Sequence, residues 1–269
     1  MNDSTLKKFV KLKQTLASMR SVAVAFSGGV DSTFLLKAAQ ETLGGNAVAV
    51  SAATAVLPLA EREEASAFCI EEGITHYWIP IDVFAVEGFA LNTVTRCYHC
   101  KKAIFQKLAE AAQKHGAVYL VDGSNTDDLK DYRPGSKALQ ELGIRSPLQE
   151  AELSKEEIRL LSQSMGLSTW DKPSFACLAS RFPYGQKMTE RKLRMVEAAE
   201  NLLRSSGVRQ CRVRMHGTVG RIEAETSDFA KIISAREMFA KKMKDLGFTY
   251  VTLDLEGYRS GSMNEVLDR

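Results

Sequence analysis

The residues best suited to chemistry begin at Ser27-Gly28-Gly29-Val30-Asp31-Ser32, a run of small and polar side chains. It follows the apolar stretch 22–26 and leads into a helical pattern at 33–39. Strand, tight turn and helix in succession aim several backbone N–H groups, and the positive end of a helix dipole, at one point. A phosphate is held at such a point. Gly28 and Gly29 have no Cβ to keep a phosphate off the main chain. Ser27 and Ser32 add hydroxyls, and Ser32 could also cap the helix. Asp31 is the odd member, since a triphosphate repels a carboxylate unless a cation lies between them. The pattern therefore suits ATP with Mg²⁺, the ion reached directly or through water. An ordinary glycine turn with a polar cap is the simpler alternative.

Three further groups could do chemistry. In Asp122-Gly123-Ser124-Asn125-Thr126-Asp127-Asp128, followed by Asp131-Tyr132-Arg133-Pro134-Gly135, Gly123 permits close approach and Asn125 offers an amide. Arg133 could neutralise a phosphate or carboxylate. The alternative is a solvated acidic loop. Cys97-Tyr98-His99-Cys100 is a C-x-x-C placed just before a predicted helix, and Cys177 stands far along the chain. This set could be a redox dithiol, a zinc site with His99 as an awkward fourth ligand, a 4Fe–4S site with one iron left open, or unrelated thiols. Cys69 and Cys211 fit small core positions. Lastly, strand alternation at 210–216 puts Arg212 and Arg214 on one face, opposite Cys211, Val213 and Met215. Two guanidiniums on one face could grip a dianionic phosphate. On the next strand Arg221, Glu223 and Glu225 share a face, so a cross-strand salt-bridge ladder on a solvated sheet is the rival reading.

These groups need elements to position them. Apolar runs at 22–26, 47–50, 76–80 and 117–121 alternate with helical patterns at 4–19, 33–43, 58–72 and 100–115. In the first helix Leu6, Phe9, Val10, Leu12 and Leu16 are expected toward the core. Alternation of this kind predicts an α/β fold with a doubly wound parallel sheet, whose ligands sit beyond the carboxyl ends of the strands. Ser51, ending the second strand, falls where a nucleotide base would lie. Ser154-x-x-Glu157 is a capping box for a helix stopping at Gly166. Residues 169–174 read as a boundary, giving domains at 1–170 and 171–269. The second, a smaller α+β domain, runs helix (189–205), hairpin (210–216 and 219–225, joined by Gly217-Thr218), helix (227–245) and strand (249–255).

Composition narrows the classes. With 36 Lys and Arg against 33 Asp and Glu, a net charge of +3 gives no general case for nucleic-acid binding. No apolar run is long enough to span a membrane, and the charged, amphipathic start is unlike a signal peptide. Five cysteines without an export signal suit reduced thiols in a cytoplasm.

S-G-G-x-D-S resembles the PP-loop of ATP pyrophosphatases, which implies attack of a substrate oxygen on the α-phosphate and release of pyrophosphate. G-S-N-x-D-D with D-x-R-P-G resembles the second nucleotide motif of that superfamily. P-S-F-A-C-L-A-S-R-F-P-Y-G and L-D-L-E-G-Y-R-S-G-S-M-N extend the likeness to the LarE family across essentially the whole chain. That resemblance implies an ATP-dependent sulfurtransferase acting on a small-molecule substrate, a pyridinium mononucleotide with two carboxylates. One carboxylate is adenylated and AMP is then replaced by sulfur. It implies Arg212 and Arg214 on the substrate phosphate, Glu200 and Glu223 as polar or metal-contacting residues, and Ser180 and Arg181 beside the catalytic Cys177. Members with a C-x-x-C resemble cluster enzymes, so Cys97, Cys100 and Cys177 are expected to hold a 4Fe–4S cluster fed by a sulfide donor. Single-cysteine members give up the sulfur of the residue matching Cys177. Family members also resemble ring-shaped homo-oligomers. The rivals are a tRNA thiolase, an ammonia-using amide synthetase, and a nucleotide sensor with structural zinc.

Overall fold

In the computed structural model, residues 3–129, 134–173, 176–259 and 262–265 are described. The chain forms two compact units: Met1–Val86 with Cys97–Phe175, and Glu87–Arg96 with Ala176–Arg269.

The first unit is built on four parallel strands, β1 (Val22–Ala25), β2 (Ala47–Ala53), β3 (His76–Pro80) and β4 (Tyr119–Val121), in the order β3-β2-β1-β4. Its helices are α1 (Asp3–Met19), α2 (Val30–Leu43), α3 (Leu59–Glu71), α4 (Arg96–Lys114), α5 (Pro134–Glu141), α6 (Pro147–Glu150) and α7 (Lys155–Ser164). Strand alternation divides them into layers. Val22, Val24, Ala47 and Ala49 pack with Leu12, Leu16, Phe34, Leu35 and Leu161 from α1, α2 and α7. Ala23 and Val50 face the other way, against Phe105 and Leu108 of α4 and Leu139 of α5. Both faces are covered, so β1 is all Val and Ala. Each Leu or Phe so buried stabilises the unit by about 1.5–3 kcal/mol. The expected doubly wound α/β fold is present.

Local details differ from the expectation. Leu6 and Val10 of α1 are exposed; the buried stripe is Thr5, Leu12, Leu16 and Met19. Beside this stripe the Lys8 ammonium pairs with Glu157 of the α7 capping box at 2.8 Å. The C-x-x-C lies inside the first turns of α4, not before the helix. Gly44, at φ +58°, closes α2 by accepting a conformation that other residues resist.

In the second unit β5 (Cys211–His216) pairs antiparallel with β6 (Val219–Ala224), and β7 (Tyr250–Leu253) runs parallel to β6. Gly217, at φ +62°, makes the expected hairpin turn. The parallel return to β7 requires a crossover, which α9 (Phe229–Ser234) and α10 (Arg236–Asp245) provide after α8 (Glu190–Ser205). The single helix expected over 227–245 is broken at Ala235. Residues 87–96 also belong here, because Asn92 Nδ2 donates to Phe182 O (3.0 Å) and Pro183 O (2.6 Å).

Candidate active site

The strand, tight turn and helix start expected of a phosphate loop are present at the end of β1. Gly28 takes φ +72°, and a Cβ there would lie 3.3 Å from the Cβ of Ala65 on α3, so glycine is required twice over. The helix N-cap is Gly29, without side-chain capping, which leaves the amides of the first turn of α2 open to a ligand. Ser32 is therefore not the cap. Its hydroxyl donates to Gly29 O (3.1 Å), accepts from Ser27 N (3.3 Å) and meets Ser27 Oγ at 3.0 Å, tying the loop into a ring.

Two lysines that sequence reasoning did not single out hold this loop. Lys155, the first residue of α7, donates to Asp31 Oδ2 at 2.6 Å. Asp31 Oδ1 is buried and has no hydrogen-bond partner, the state of a carboxylate oxygen that a cation would satisfy. Lys172 donates to Gly28 O (3.2 Å) and to Glu61 and Glu64 of α3 (both 2.7 Å). Burial pulls its pKa down, but the two carboxylates outweigh that and leave it raised. Glu61 and Glu64 three apart on a helix were a legible acceptor pair; their partner, more than a hundred residues away, was not.

The other expected nucleotide residues serve the loop more than they face outward. A Cβ on Gly123 would stand 3.0 Å from Ser32 N, so the close approach is that of α2 itself. Asn125 is buried and its Oδ1 accepts from Asp127 N at 2.9 Å. Ser51 is buried too, donating to Phe26 O (2.6 Å) and meeting His76 Nε2 at 2.8 Å. Burial lowers the His76 pKa to about 4, so the ring is neutral and donates from Nε2. Arg133 lies outside the described residues, as do Asp131, Tyr132, Ser174 and Phe175.

In the second unit the arginine face is enclosed, not solvated as a surface ladder would require. Arg181 is fully buried and grips both oxygens of Glu200 (2.8 and 2.9 Å). Its Nη1 donates to Ala176 O, Cys177 O and Ser180 Oγ, fixing the turn that carries Cys177. Burial pushes the Glu200 carboxyl up, but Arg181, with Arg204 and Arg212 near it, holds it below the usual range. Arg212 pairs across the hairpin with Glu223, and Arg214 with Arg221. Arg214 donates to Glu223 (2.9 Å) and Ser180 O (2.9 Å), and Arg212 lies over the Tyr258 ring. Burial, then Arg181, depress the Arg212 pKa. Arg221 bridges Glu223 and Asp254, while Glu225 lies past the strand and is exposed. Five arginines (181, 204, 212, 214, 221) thus share Glu200, Glu223 and Asp254. Among the described residues this cluster is net positive, which suits a bound anion.

The thiols divide as expected at two positions. Cys69 and Cys211 are buried, with pKa values pushed up by burial to about 12 and about 11. Cys97 and Cys177 are exposed and Cys100 is half-buried. Cys97 and Cys100, three apart in α4, share a helix face. Among the described residues no group of three or more His, Cys, Asp or Glu is gathered as a metal site. Nor is any helix among them long and apolar enough to cross a membrane.

Comparison with known proteins agrees with this architecture. A family model described as a PP-loop domain matches residues 1–132. The chain is 38% identical to pyridinium-3,5-bisthiocarboxylic acid mononucleotide synthase of Lactiplantibacillus plantarum, over 97% of this chain and 95% of that one. An uncharacterized protein of Synechocystis is 43% identical, covering 97% and 98% of the two chains. One from Methanocaldococcus jannaschii is 31% identical, covering 95% and 98%. A PP-loop domain implies use of ATP. With an intact phosphate loop and a match running nearly end to end, the chain belongs to the LarE family of PP-loop ATP-dependent sulfurtransferases.

Proposed function

We propose that this chain converts a carboxylate of a pyridinium dicarboxylate mononucleotide to a thiocarboxylate, using ATP. The observation that carries this reading is the near full-length match to a pyridinium bisthiocarboxylic acid mononucleotide synthase, in a chain whose phosphate loop is intact. The uncapped amides at the start of α2, with the Gly28–Gly29 backbone and the Ser27 and Ser32 hydroxyls, hold the ATP phosphates. Asp31, with its unsatisfied Oδ1, is the residue that would hold Mg²⁺, which when bound neutralises triphosphate charge. Lys155, already on Asp31 Oδ2, adds a cation on the same side. Ser51, Gly123 and Asn125 shape the pocket from behind.

The reaction needs two displacements. A substrate carboxylate oxygen attacks the α-phosphorus, forming a P–O bond as pyrophosphate leaves. Sulfur then attacks the carbonyl carbon of the acyl-adenylate. A C–S bond forms, the C–O bond to AMP breaks, and the sulfur's proton goes to solvent. AMP is a far weaker base than oxide, so ATP makes the second step possible. Arg212 and Arg214, within the cationic cluster, hold the substrate phosphate. Arg181 is a positioning residue, since it fixes the Cys177 backbone, and Glu200 and Glu223 orient the arginines.

Cys97, Cys100 and Cys177 are an all-thiolate donor set, and two of them share one helix face. They would hold a 4Fe–4S cluster, which when bound supplies sulfur in anionic form at neutral pH. The exposure of Cys177 beside its fixed backbone also favours a second reading, single-turnover donation of that residue's own sulfur.

Anaerobic incubation with ATP, sulfide and the dicarboxylated pyridinium mononucleotide tests the proposal. Pyrophosphate, AMP and a nucleotide with sulfur in place of oxygen are expected over many turnovers, with the mass of the chain unchanged. A chain that stops after one turnover, lacking the Cys177 sulfur, moves the assignment to the second reading. No pyrophosphate with this nucleotide, or a requirement for transfer RNA, overturns the proposal.

A further inference from the structure

Arg96 is buried in the second unit, and no acidic side chain among the described residues pairs with it. It is 6% exposed, and its Nη1 is sealed from solvent without a hydrogen-bond partner. Among the described residues it enters no ion pair. Its guanidinium lies over the Tyr184 ring, 5.2 Å from the centroid. A buried charge without a counter-charge costs several kcal/mol. The position adds to that cost: Arg96 opens α4, whose first turn holds no acidic residue, so the positive helix end repels the guanidinium. A second unmatched donor occurs on the facing segment, where Gln186 Nε2 is also buried without a partner. The two segments are bound together, Gly185 N donating to Asn92 O (3.0 Å) and Met188 N to Ala90 O (2.8 Å). Two orphaned donors, one of them cationic, on paired segments call for an anion.

We propose that Arg96 anchors a carboxylate subsite that takes the substrate carboxylate not being activated. The assignment rests on the sulfurtransferase reading. Tyr184, under Arg96, lies four residues beyond Ser180, whose carbonyl is held by Arg214. One short stretch of chain thus serves both Arg214, assigned to the phosphate, and this unassigned arginine. A planar guanidinium grips a carboxylate through paired N–H donors, which lysine cannot reproduce.

Binding of pyridine-3,5-dicarboxylate and, separately, inorganic phosphate is measured by calorimetry on wild-type, Arg96→Met and Arg96→Lys chains. In Arg96→Met dicarboxylate binding weakens about 10- to 100-fold while phosphate binding is unchanged, and Arg96→Lys recovers part of the loss. Without ligand, Arg96→Met unfolds no earlier than wild type, because it removes an unbalanced buried charge. Equal dicarboxylate binding by Arg96→Met and wild type would mean that water fills the site, and overturns the proposal. So does a variant that unfolds much earlier with both probes weakened alike, which makes Arg96 a packing residue. Pyrophosphate release separates this from the function. A wild-type chain that adenylates the nucleotide, beside an Arg96→Met chain of unchanged KM for it, ends the subsite alone. Absent pyrophosphate release with Arg96-dependent dicarboxylate binding ends the sulfurtransferase reading and leaves a carboxylate site.

Discussion

Lys172→Met should loosen the phosphate loop without touching a residue of the loop. The substitution deletes a bond to Gly28 O and strands the carboxylate of Glu61. Lys172 and Glu61 side chains are 16% and 13% exposed, so most of their attraction acts out of water. Removing one partner of a buried pair costs about 3–5 kcal/mol; residual exposure lowers this to about 2–3. Glu64, at 61% exposed, adds little. Loss of the Gly28 bond adds about 1 kcal/mol. The sum, about 3 kcal/mol, lowers Tm by roughly 6–12 °C. The Gly28 share falls on the loop itself, raising the KM for ATP about fivefold at unchanged kcat. Lys172→Arg should restore most of both. Glu61→Gln in the Lys172→Met background should recover about half the lost stability, because the stranded charge is gone. The Lys172 pKa is raised on folding, so its contribution is complete below the ordinary lysine value and disappears as pH rises through the folded value. Thermal unfolding and pyrophosphate-release kinetics on the four chains decide the matter. Wild-type Tm and ATP KM in Lys172→Met, or no rescue by Glu61→Gln, would refute the reasoning.

Three other perturbations follow from the geometry. Asp31→Asn keeps the shape but loses the charge that would hold the ion; pyrophosphate release should fall at least about 100-fold with circular dichroism unchanged. His76, with its pKa lowered to about 4, should cost stability as pH falls from about 6.5 to about 4, since protons then favour the unfolded chain. The loss approaches 2–3 kcal/mol by urea denaturation and is absent from His76→Gln, which keeps an amide donor for Ser51. Alkylation of the native, metal-free chain should label Cys97 and Cys177 first, Cys100 more slowly, and Cys69 and Cys211 only after unfolding, as peptide mass spectrometry would show.

What the sequence determined is whatever depends on neighbours in the chain. The phosphate turn, the capping box at Ser154, the parallel alternation and the Gly217 hairpin all follow from local spacing, because each is a short-range geometric demand. Reach exceeded grasp where burial was inferred from periodicity alone. Leu6 and Val10 fit a helical stripe, yet α1 packs on Leu12, Leu16 and Met19 and leaves Leu6 and Val10 exposed. The arginine strand read equally well as a solvated ladder, and only the packing of α8 and the turn at Cys177 enclosed it. Lys155 and Lys172 found their partners 124 and 111 residues away. Arg96, next to the conspicuous Cys97, carried no local mark at all. Ion pairing at that range, and the burial that makes a charge costly, are properties of chain segments meeting in space. No spacing rule encodes them, so the tertiary structure alone decided which charges are balanced and which await a ligand.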